Sequence, residues 1–278
     1  MKLRRLLTVA LAAVFFSHFC ALAQQTNEVA SELKDLVTQI RATLAPDKKT
    51  TEADLAAEIK QFDALLAKHK DEKTDAVATI LFSEAMLYLQ VLDNPQKAAE
   101  LVHQMQRDFP DTTRGKNADK ILDSIQKQVE AKKIQAGMVD GAGFPDFAEK
   151  DLAGEPLSIA KYRGKVVLVD FWATWCAPCV RELPNVIKAY EKHHGEGFEI
   201  VGISLDQEEQ KVKDFTKEKG MTWQQFFYGK GWGNKLAVMY GIQSIPATFL
   251  LNGEGKIIGK DLRGDDLEAA LTKALAKK

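Results

Sequence analysis

Two cysteines three positions apart are the residues of this sequence best suited to chemistry. Cys176 and Cys179 form the motif Trp-Cys-Ala-Pro-Cys, between a predicted strand and a predicted helix. There they can close a disulfide across one helical turn. The first cysteine lies at the helix N-terminus, where free N–H groups and the helix dipole favour an anion. We therefore expect the pKa of Cys176 to fall and its nucleophilic thiolate to become more abundant.

The second cysteine is placed to complete an exchange reaction. Cys179 lies within the first turn of the predicted helix, where we expect it to be more sheltered than Cys176. It can attack Cys176 once that residue has formed a mixed disulfide with another molecule. Pro178 stiffens the loop at little cost, because an early helical position needs no N–H.

Two structural interpretations of the pair compete with redox chemistry. A structural disulfide of this spacing would close a very small loop and stabilise the fold little. A zinc site would need two more ligands, and the sequence has no second Cys-x-x-Cys motif or suitable histidine pair. The pattern therefore favours a redox-active disulfide, with no metal and no further cofactor.

An acidic residue interrupts the apolar strand that precedes the cysteines. Asp170 follows a run of valines and leucine, six residues before Cys176. Strands are depleted in aspartate, and burial of its charge is costly. A buried carboxyl near Cys179 would have a raised pKa and could carry its proton as an acid or base. The alternative is a strand-end aspartate that reaches solvent or a backbone N–H.

Glycine content divides the chain into two parts. Residues 24–136 contain one glycine, Gly115, whereas the other 17 of the 18 glycines follow. The first part has helical periodicity, and the second alternates strands with helices, which predicts a sheet with helices on both faces. We therefore predict a helical domain over 24–136, a linker over 137–145 and an α/β domain over 146–278.

The predicted elements of the second part place the cysteines at a strand-to-helix junction. We expect buried strands at 165–171 and 198–204, a helix from the cysteines to about 194, and a hairpin formed by 247–252 and 256–262. Asp265 is expected to cap a final helix.

The N-terminus has the pattern of a secretory signal. Lys2, Arg4 and Arg5 precede an apolar stretch over 6–16, and Ala21-Leu22-Ala23 matches a cleavage site. Cleavage after Ala23 would deliver a periplasmic protein, with its formal net charge changed from −1 to −4 and with two cysteines left. The alternative is an uncleaved segment that anchors the protein to the membrane. The charge shows no basic excess, which argues against nucleic acid as a partner.

Three motifs together resemble a known family. Residues 167–179 are similar to the active site of the thioredoxin fold, and residues 244–249, Ser-Ile-Pro-Ala-Thr-Phe, resemble its cis-proline loop. Residues 162–165 and 182–184 are similar to the exported TlpA/ResA-type branch of thiol–disulfide oxidoreductases. The resemblance covers about residues 138–278 and implies an α/β thioredoxin fold preceded by an all-α helical domain.

The resemblance also implies roles for individual residues. Cys176 would attack and Cys179 would resolve. Pro246 would be cis and face Cys176, leaving backbone groups such as that of Ile245 free to pair with an extended substrate segment. Trp175 would shield the thiol and offer an apolar contact. The alternatives are a non-catalytic proline and an ordinary core tryptophan.

Other residues bear on the direction of the reaction. Asp170 resembles cytosolic thioredoxin, Ile245 resembles the reducing members, and the Ala-Pro pair lacks the histidine of strong oxidants. These features favour a reductant of protein disulfides. An exported reductant is expected to receive its electrons from a membrane donor, which no residue of the sequence identifies. Many members of the exported branch differ at Asp170, and some carry an acid where this chain has Ala177, which argues against a specific cytochrome-maturation role. Pro184 would kink the active-site helix, and the role of Glu182 stays open.

Two other functions remain as alternatives. A peroxiredoxin-like peroxidase would use one tuned cysteine, but the sequence lacks the Pro-x-x-x-Thr/Ser-x-x-Cys pattern. A partner-binding module would carry the Cys-x-x-Cys pair incidentally. As a role for the helical part alone, binding of a partner or dimerisation is expected, because it has apolar helical faces and no residues suited to chemistry.

Overall fold

The computed structural model describes residues 28–44 and 49–276. The chain divides into two compact units, one extending to Lys127 and the other covering Gln128–Lys278. The predicted signal sequence and its cleavage site lie outside the described residues. Among the described residues, no helix has both the length and the apolar character needed to cross a membrane.

The first unit is all-α, as its periodicity predicts. Its helices are α1 (residues 28–43), α2 (Ala56–Lys68), α3 (Asp75–Gln90), α4 (Pro95–Asp108), α5 (Thr113–Lys116) and the first part of α6 (Ala118–Gly137). The side chain of Asn94 accepts the N–H of Lys97 at 3.0 Å and Pro95 opens α4, which confirms the cap expected there. The single turn α5 was not predicted, because four residues are too few to show a period.

A buried acid lies in the core of this first unit. Glu84 on α3 is 4% exposed among apolar side chains, and its Oε2 has no hydrogen-bond partner. The pKa of Glu84 is raised to about 7, mainly by burial and to a smaller extent by the nearby Asp63 carboxylate, while Lys97 opposes the rise. At neutral pH a substantial fraction of this carboxyl is therefore protonated.

The second unit is built on a five-stranded mixed sheet. Its strands lie in the order β5–β4–β3–β6–β7, and β1 and β2 form a separate antiparallel pair. The strands are β1 (Glu149–Lys150), β2 (Pro156–Leu157), β3 (Val166–Trp172), β4 (Phe198–Ser204), β5 (Gln224–Phe227), β6 (Ala247–Leu251) and β7 (Ile257–Lys260). The helices are α7 (Ala177–His193), α8 (Glu209–Lys219), α9 (Lys235–Met239) and α10 (Gly264–Leu275). The predicted strands and hairpin are confirmed, whereas the two-residue strands β1 and β2 were missed because they are too short to alternate.

The central strand β3 positions the site. All seven of its residues are buried, as expected of a strand covered on both faces. It pairs in parallel with β4 and antiparallel with β6, so that Asp170 lies between Gly202 and Thr248. The thioredoxin-type α/β fold is therefore present, and Asp170 is in its central strand.

The expected start of the last helix was wrong. Helix α10 begins at Gly264 after Arg263, and Asp265 lies in its first turn without acting as the cap. The N–H of Gly264 is instead accepted by Glu182 Oε1 on α7 at 2.7 Å. A carboxylate from another helix thus performs the capping, which local sequence could not reveal.

The segment predicted as a linker, 137–145, lies within the second unit and is hydrogen-bonded to the hairpin of that unit. Gly141 donates to the Ile257 carbonyl at 2.7 Å, and Phe144 donates to the Gly255 carbonyl at 2.9 Å. The Phe144 ring stacks on Tyr240 with 4.4 Å between centroids. The predicted domain limits, 24–136, 137–145 and 146–278, remain a prediction.

Replacement of Glu84 tests whether its buried carboxyl destabilises the fold when it ionises. Because its pKa is raised, the carboxyl costs no stability below about pH 4.5, where it is protonated in folded and unfolded chains alike. The loss of stability caused by ionising the buried carboxyl grows as the pH rises towards 7 and is complete above it. Glu84→Gln should therefore raise the free energy of unfolding by about 1–2 kcal/mol at pH 8 and by much less at pH 4.5.

Circular dichroism at 222 nm during denaturant unfolding measures this difference. Glu100→Gln, at an exposed position on α4, is the matched control and should change the free energy of unfolding little at either pH. A gain that is equal at both pH values would contradict the burial of an ionisable Glu84.

Candidate active site

The cysteine pair lies at the junction between the central strand β3 and helix α7. Helix α7 begins at Ala177, and Cys176 is its N-cap with an extended backbone. The two cysteines form a disulfide with their Cα atoms 5.2 Å apart. The Sγ of Cys176 accepts the N–H of Cys179 at 3.2 Å. The predicted position of Cys176 at the helix N-terminus and that of Pro178 in the first turn are confirmed.

Exposure does not distinguish the two cysteines. Cys176 is 5% exposed and Cys179 is 7% exposed, so the expectation that Cys179 is the more sheltered is wrong for the disulfide form. The bond holds both sulfur atoms within the same helical turn, which explains the similar values. Their surroundings differ: Cys176 faces the loop before β6, whereas Cys179 lines a cavity beside β3.

The loop facing Cys176 has the expected cis peptide bond. It joins Ile245 to Pro246, both half-buried. The Ile245 carbonyl oxygen lies 3.6 Å from Cys176 Sγ. The guanidinium of Arg263 donates to the Pro246 carbonyl at 2.7 Å and so ties this loop to the start of α10. Ile245 and Pro246 are thus at the redox centre, and their roles in substrate binding stay predictions.

Asp170 lines the same cavity as Cys179. The carboxyl is 7% exposed, so it does not reach solvent. The cavity measures about 20 Å³, which is room for about one water molecule. Burial raises the pKa of Asp170 to about 7, Arg263 opposes the rise, and Glu182 adds to it. The predicted raised pKa is confirmed, and the role of Asp170 as a proton carrier for Cys179 stays a prediction.

Three further residues at the cavity escaped the sequence analysis or had no assigned role. Glu182 accepts the Gly264 N–H and also the amide of Asn185 at 3.1 Å, so it joins α7 to α10. Arg263 supplies a cation near Asp170. The hydroxyl of Thr248 is buried without a hydrogen-bond partner, opposite Asp170 across β3 and β6. Arg263 lies far along the chain from the cysteines, and no sequence signal identified it. Thr248 belongs to the 244–249 motif, but the motif assigned it no role.

Trp175 is not a core residue. It is 55% exposed, and its ring centroid lies 6.2 Å from that of Trp232, which is 48% exposed. An apolar surface next to Cys176 is therefore available to a substrate, and the role of Trp175 in binding one stays a prediction. Trp232 was missed, because it follows β5 in a glycine-rich loop with no recognisable motif.

Known proteins are similar to this chain in sequence. The model of the AhpC/TSA family matches residues 141–260. The thiol-disulfide oxidoreductase ResA of Bacillus thuringiensis is 31% identical over 137 residues, which are 49% of this chain and 77% of that protein. The chain belongs to the ResA family of thiol-disulfide oxidoreductases. ResA of Geobacillus kaustophilus is 33% identical over 134 residues, which cover 47% of this chain and 75% of the relative.

A solved structure is also similar. The thioredoxin domain of a thiol-disulfide oxidoreductase from Bacteroides vulgatus is 36% identical, covers 49% of this chain and 96% of that domain, and has a TM-score of 0.45.

Membership of the family makes this chain a thiol–disulfide oxidoreductase with a thioredoxin fold. The alternative in which the cysteine pair is incidental to a binding module does not hold. Within residues 28–44 and 49–276, no group of three or more histidine, cysteine or acidic side chains is arranged to hold a metal ion.

Replacement of Asp170 tests its role as a proton carrier. Its carboxylate, present mainly above about pH 7, can accept the Cys179 proton. When the reduced protein meets an excess of an aromatic disulfide reagent, the first thiol released reports Cys176 and the second reports Cys179. Asp170→Asn should slow the second release by about tenfold or more at pH 8 and remove its rise through pH 7.

Stopped-flow absorbance resolves the two releases. Asp266→Asn, at an exposed aspartate of α10, is the control and should leave both phases unchanged. An unchanged second phase in Asp170→Asn, with its rise through pH 7 intact, would remove Asp170 from the reaction.

Proposed function

We propose that this protein is an exported reductant of protein disulfides. The Cys176 thiolate attacks one sulfur of a substrate disulfide, which forms a mixed disulfide and expels the other substrate sulfur as a thiolate. Cys179 gives up its proton and attacks Cys176, which releases the second substrate thiol. Two electrons pass to the substrate, and the enzyme is left with the Cys176–Cys179 disulfide.

The observation that carries this proposal is the shared cavity of Asp170 and Cys179. The buried carboxyl has a pKa of about 7, so it exchanges a proton readily at neutral pH. It can accept the Cys179 proton directly or through one water molecule as Cys179 attacks. The same base would serve the reverse reaction, so the direction depends on the relative stability of the two redox forms.

The surroundings of Cys176 favour reduction of the substrate. Strong oxidants of this kind arise when the reduced form is stabilised. In the contacts described around Cys176 Sγ, one backbone N–H favours a thiolate, whereas the Ile245 carbonyl oxygen at 3.6 Å opposes one. The intervening Ala177 and Pro178 are exposed and uncharged. The Ile245 carbonyl therefore limits how far the helix start stabilises the thiolate, which favours a protein that gives up its electrons readily.

The proposed export and the proposed partners rest on parts of the chain outside the redox site. The secretory pattern of residues 1–23 supports a periplasmic location after cleavage at Ala23. A reductant in an oxidising compartment must be re-reduced from elsewhere, and a membrane electron donor would supply the electrons. The apolar-faced helical unit would bind such a partner or a second copy of the chain.

The equilibrium potential of the cysteine pair tests the direction. The mature protein is equilibrated with dithiothreitol or glutathione buffers, and the reduced fraction is counted by thiol alkylation and mass spectrometry. We expect a value near that of reducing thioredoxins, about −270 mV. A value above about −180 mV would contradict the proposal and indicate an oxidase or isomerase. Consumption of hydrogen peroxide faster than of disulfide peptides would instead support the peroxidase alternative.

A further inference from the structure

Two half-exposed tryptophans lie side by side next to the redox centre. Trp175 directly precedes Cys176, and Trp232 contributes the second ring, tilted by 60° at 6.2 Å. They are two of six large apolar side chains that are exposed among the described residues. Tryptophan is on average highly buried, and contiguous exposed apolar surface marks sites of interaction. This pair therefore needs an explanation beyond the fold.

A buried polar network holds the backbone beside the first tryptophan. Asp206 is 2% exposed and accepts the N–H and the hydroxyl of Thr174, at 3.0 and 2.6 Å. The hydroxyl of Ser204, which is fully buried, also donates to Asp206 at 2.8 Å. Because Thr174 precedes Trp175, these bonds fix the chain that presents its ring.

The same network reaches the second tryptophan. Asn234 is fully buried, and its amide donates to the Ser204 carbonyl at 2.9 Å. Its Oδ1 accepts the N–H of Leu236 at 2.9 Å and so starts α9. Trp232 lies in the short 3-10 turn Gly231–Gly233 that leads into Asn234. Both rings are thus presented from backbone that is anchored to the end of β4, which reduces the entropy lost when they bind a ligand.

The two rings border a cleft of about 340 Å³, which we call the tryptophan cleft. Its other walls include Leu205, Gln207 and the ion pair of Lys211 with Glu208. The volume lies within the range of small ligand pockets. Lys211 and Glu208 neutralise each other at 2.6 Å, and the Asp206 carboxylate is occupied by three donors. The cleft therefore presents two indole rings beside polar groups that already have hydrogen-bond or ion-pair partners, which suits an apolar guest.

We propose that the tryptophan cleft is a specificity site for the protein substrate. It receives a large apolar or aromatic side chain adjacent to the substrate cysteine that Cys176 attacks. Indole rings favour such a guest through offset or edge-to-face contacts. The cleft starts at the residue before Cys176, so a side chain one or two residues from the attacked sulfur can reach it. This inference rests on the proposed function in one respect, that the substrate is a protein disulfide.

Paired peptides test the cleft. Two disulfide-bonded peptides differ only in having tryptophan or serine beside the cysteine, and a small disulfide without a peptide serves as the reference substrate. We expect the wild-type protein to reduce the tryptophan peptide with kcat/KM at least about tenfold higher than the serine peptide. In Trp232→Ala this ratio should fall to about two or less, and Trp232→Phe should restore part of it. The ratio compares two substrates on one enzyme, so a change in the active fraction does not affect it.

Tyr228→Ala is the matched control, because Tyr228 is an exposed aromatic residue that does not line the cleft. Its ratio should equal that of the wild type. A wild-type protein that reduces all three substrates without preferring the tryptophan peptide would overturn the specificity site and leave the proposed function standing. A preference that survives in Trp232→Ala would do the same. Failure to reduce any of the three would overturn both.

Discussion

The active site depends on a hydrogen bond at the start of helix α7, which the Cys179 N–H donates to Cys176 Sγ. This bond exists because Cys176 is the last residue before α7, where the backbone donors of the first turn have no carbonyl partners within the helix. An anion at this point is stabilised by those donors and by the helix dipole. The central strand β3, buried along its whole length, fixes where the helix can begin.

The two cysteines have different surroundings on the two sides of this junction, and therefore different reactivity. On one side, Cys176 faces the carbonyl of Ile245 and the exposed Trp175, where a substrate segment can approach. On the other, Cys179 meets the cavity that contains Asp170. The same buried strand that positions the helix thus also carries the acid whose pKa burial raises. The two cysteine residues have similar exposure in the disulfide form, so exposure does not reveal this asymmetry, which depends on charge and hydrogen bonding.

Features set by neighbouring residues could be predicted from the sequence. The valine-rich strand, the position of Cys176 before a helix, and the Asn94-Pro95 helix start all follow from local patterns, and the cis peptide before Pro246 follows from the family resemblance. The cap of α10 could not be predicted, because its acceptor, Glu182, comes from another helix. Asp265 had the right residue type for a cap but lies two positions after the N-cap position, which Arg263 occupies.

Residues brought together by the tertiary fold were missed for the same reason. Arg263 reaches the site only because α10 starts beside the loop of Pro246. Trp232 becomes a partner of Trp175 only because Asn234 is anchored to β4. Glu84 occupies a core-facing position of α3 that periodicity assigns to an apolar residue. Such placements leave no local signature, so they appear only with the three-dimensional structure.

The start of helix α7 and the cavity beside Asp170 make the two thiols chemically unequal. Alkylation of each cysteine in the reduced protein, followed by mass spectrometry across a range of pH, measures this directly. Cys176 should react at pH values well below the ordinary thiol midpoint of about 8.5, whereas Cys179 should react only at higher pH. Equal alkylation of the two cysteines at every pH, or earlier alkylation of Cys179, would contradict the account.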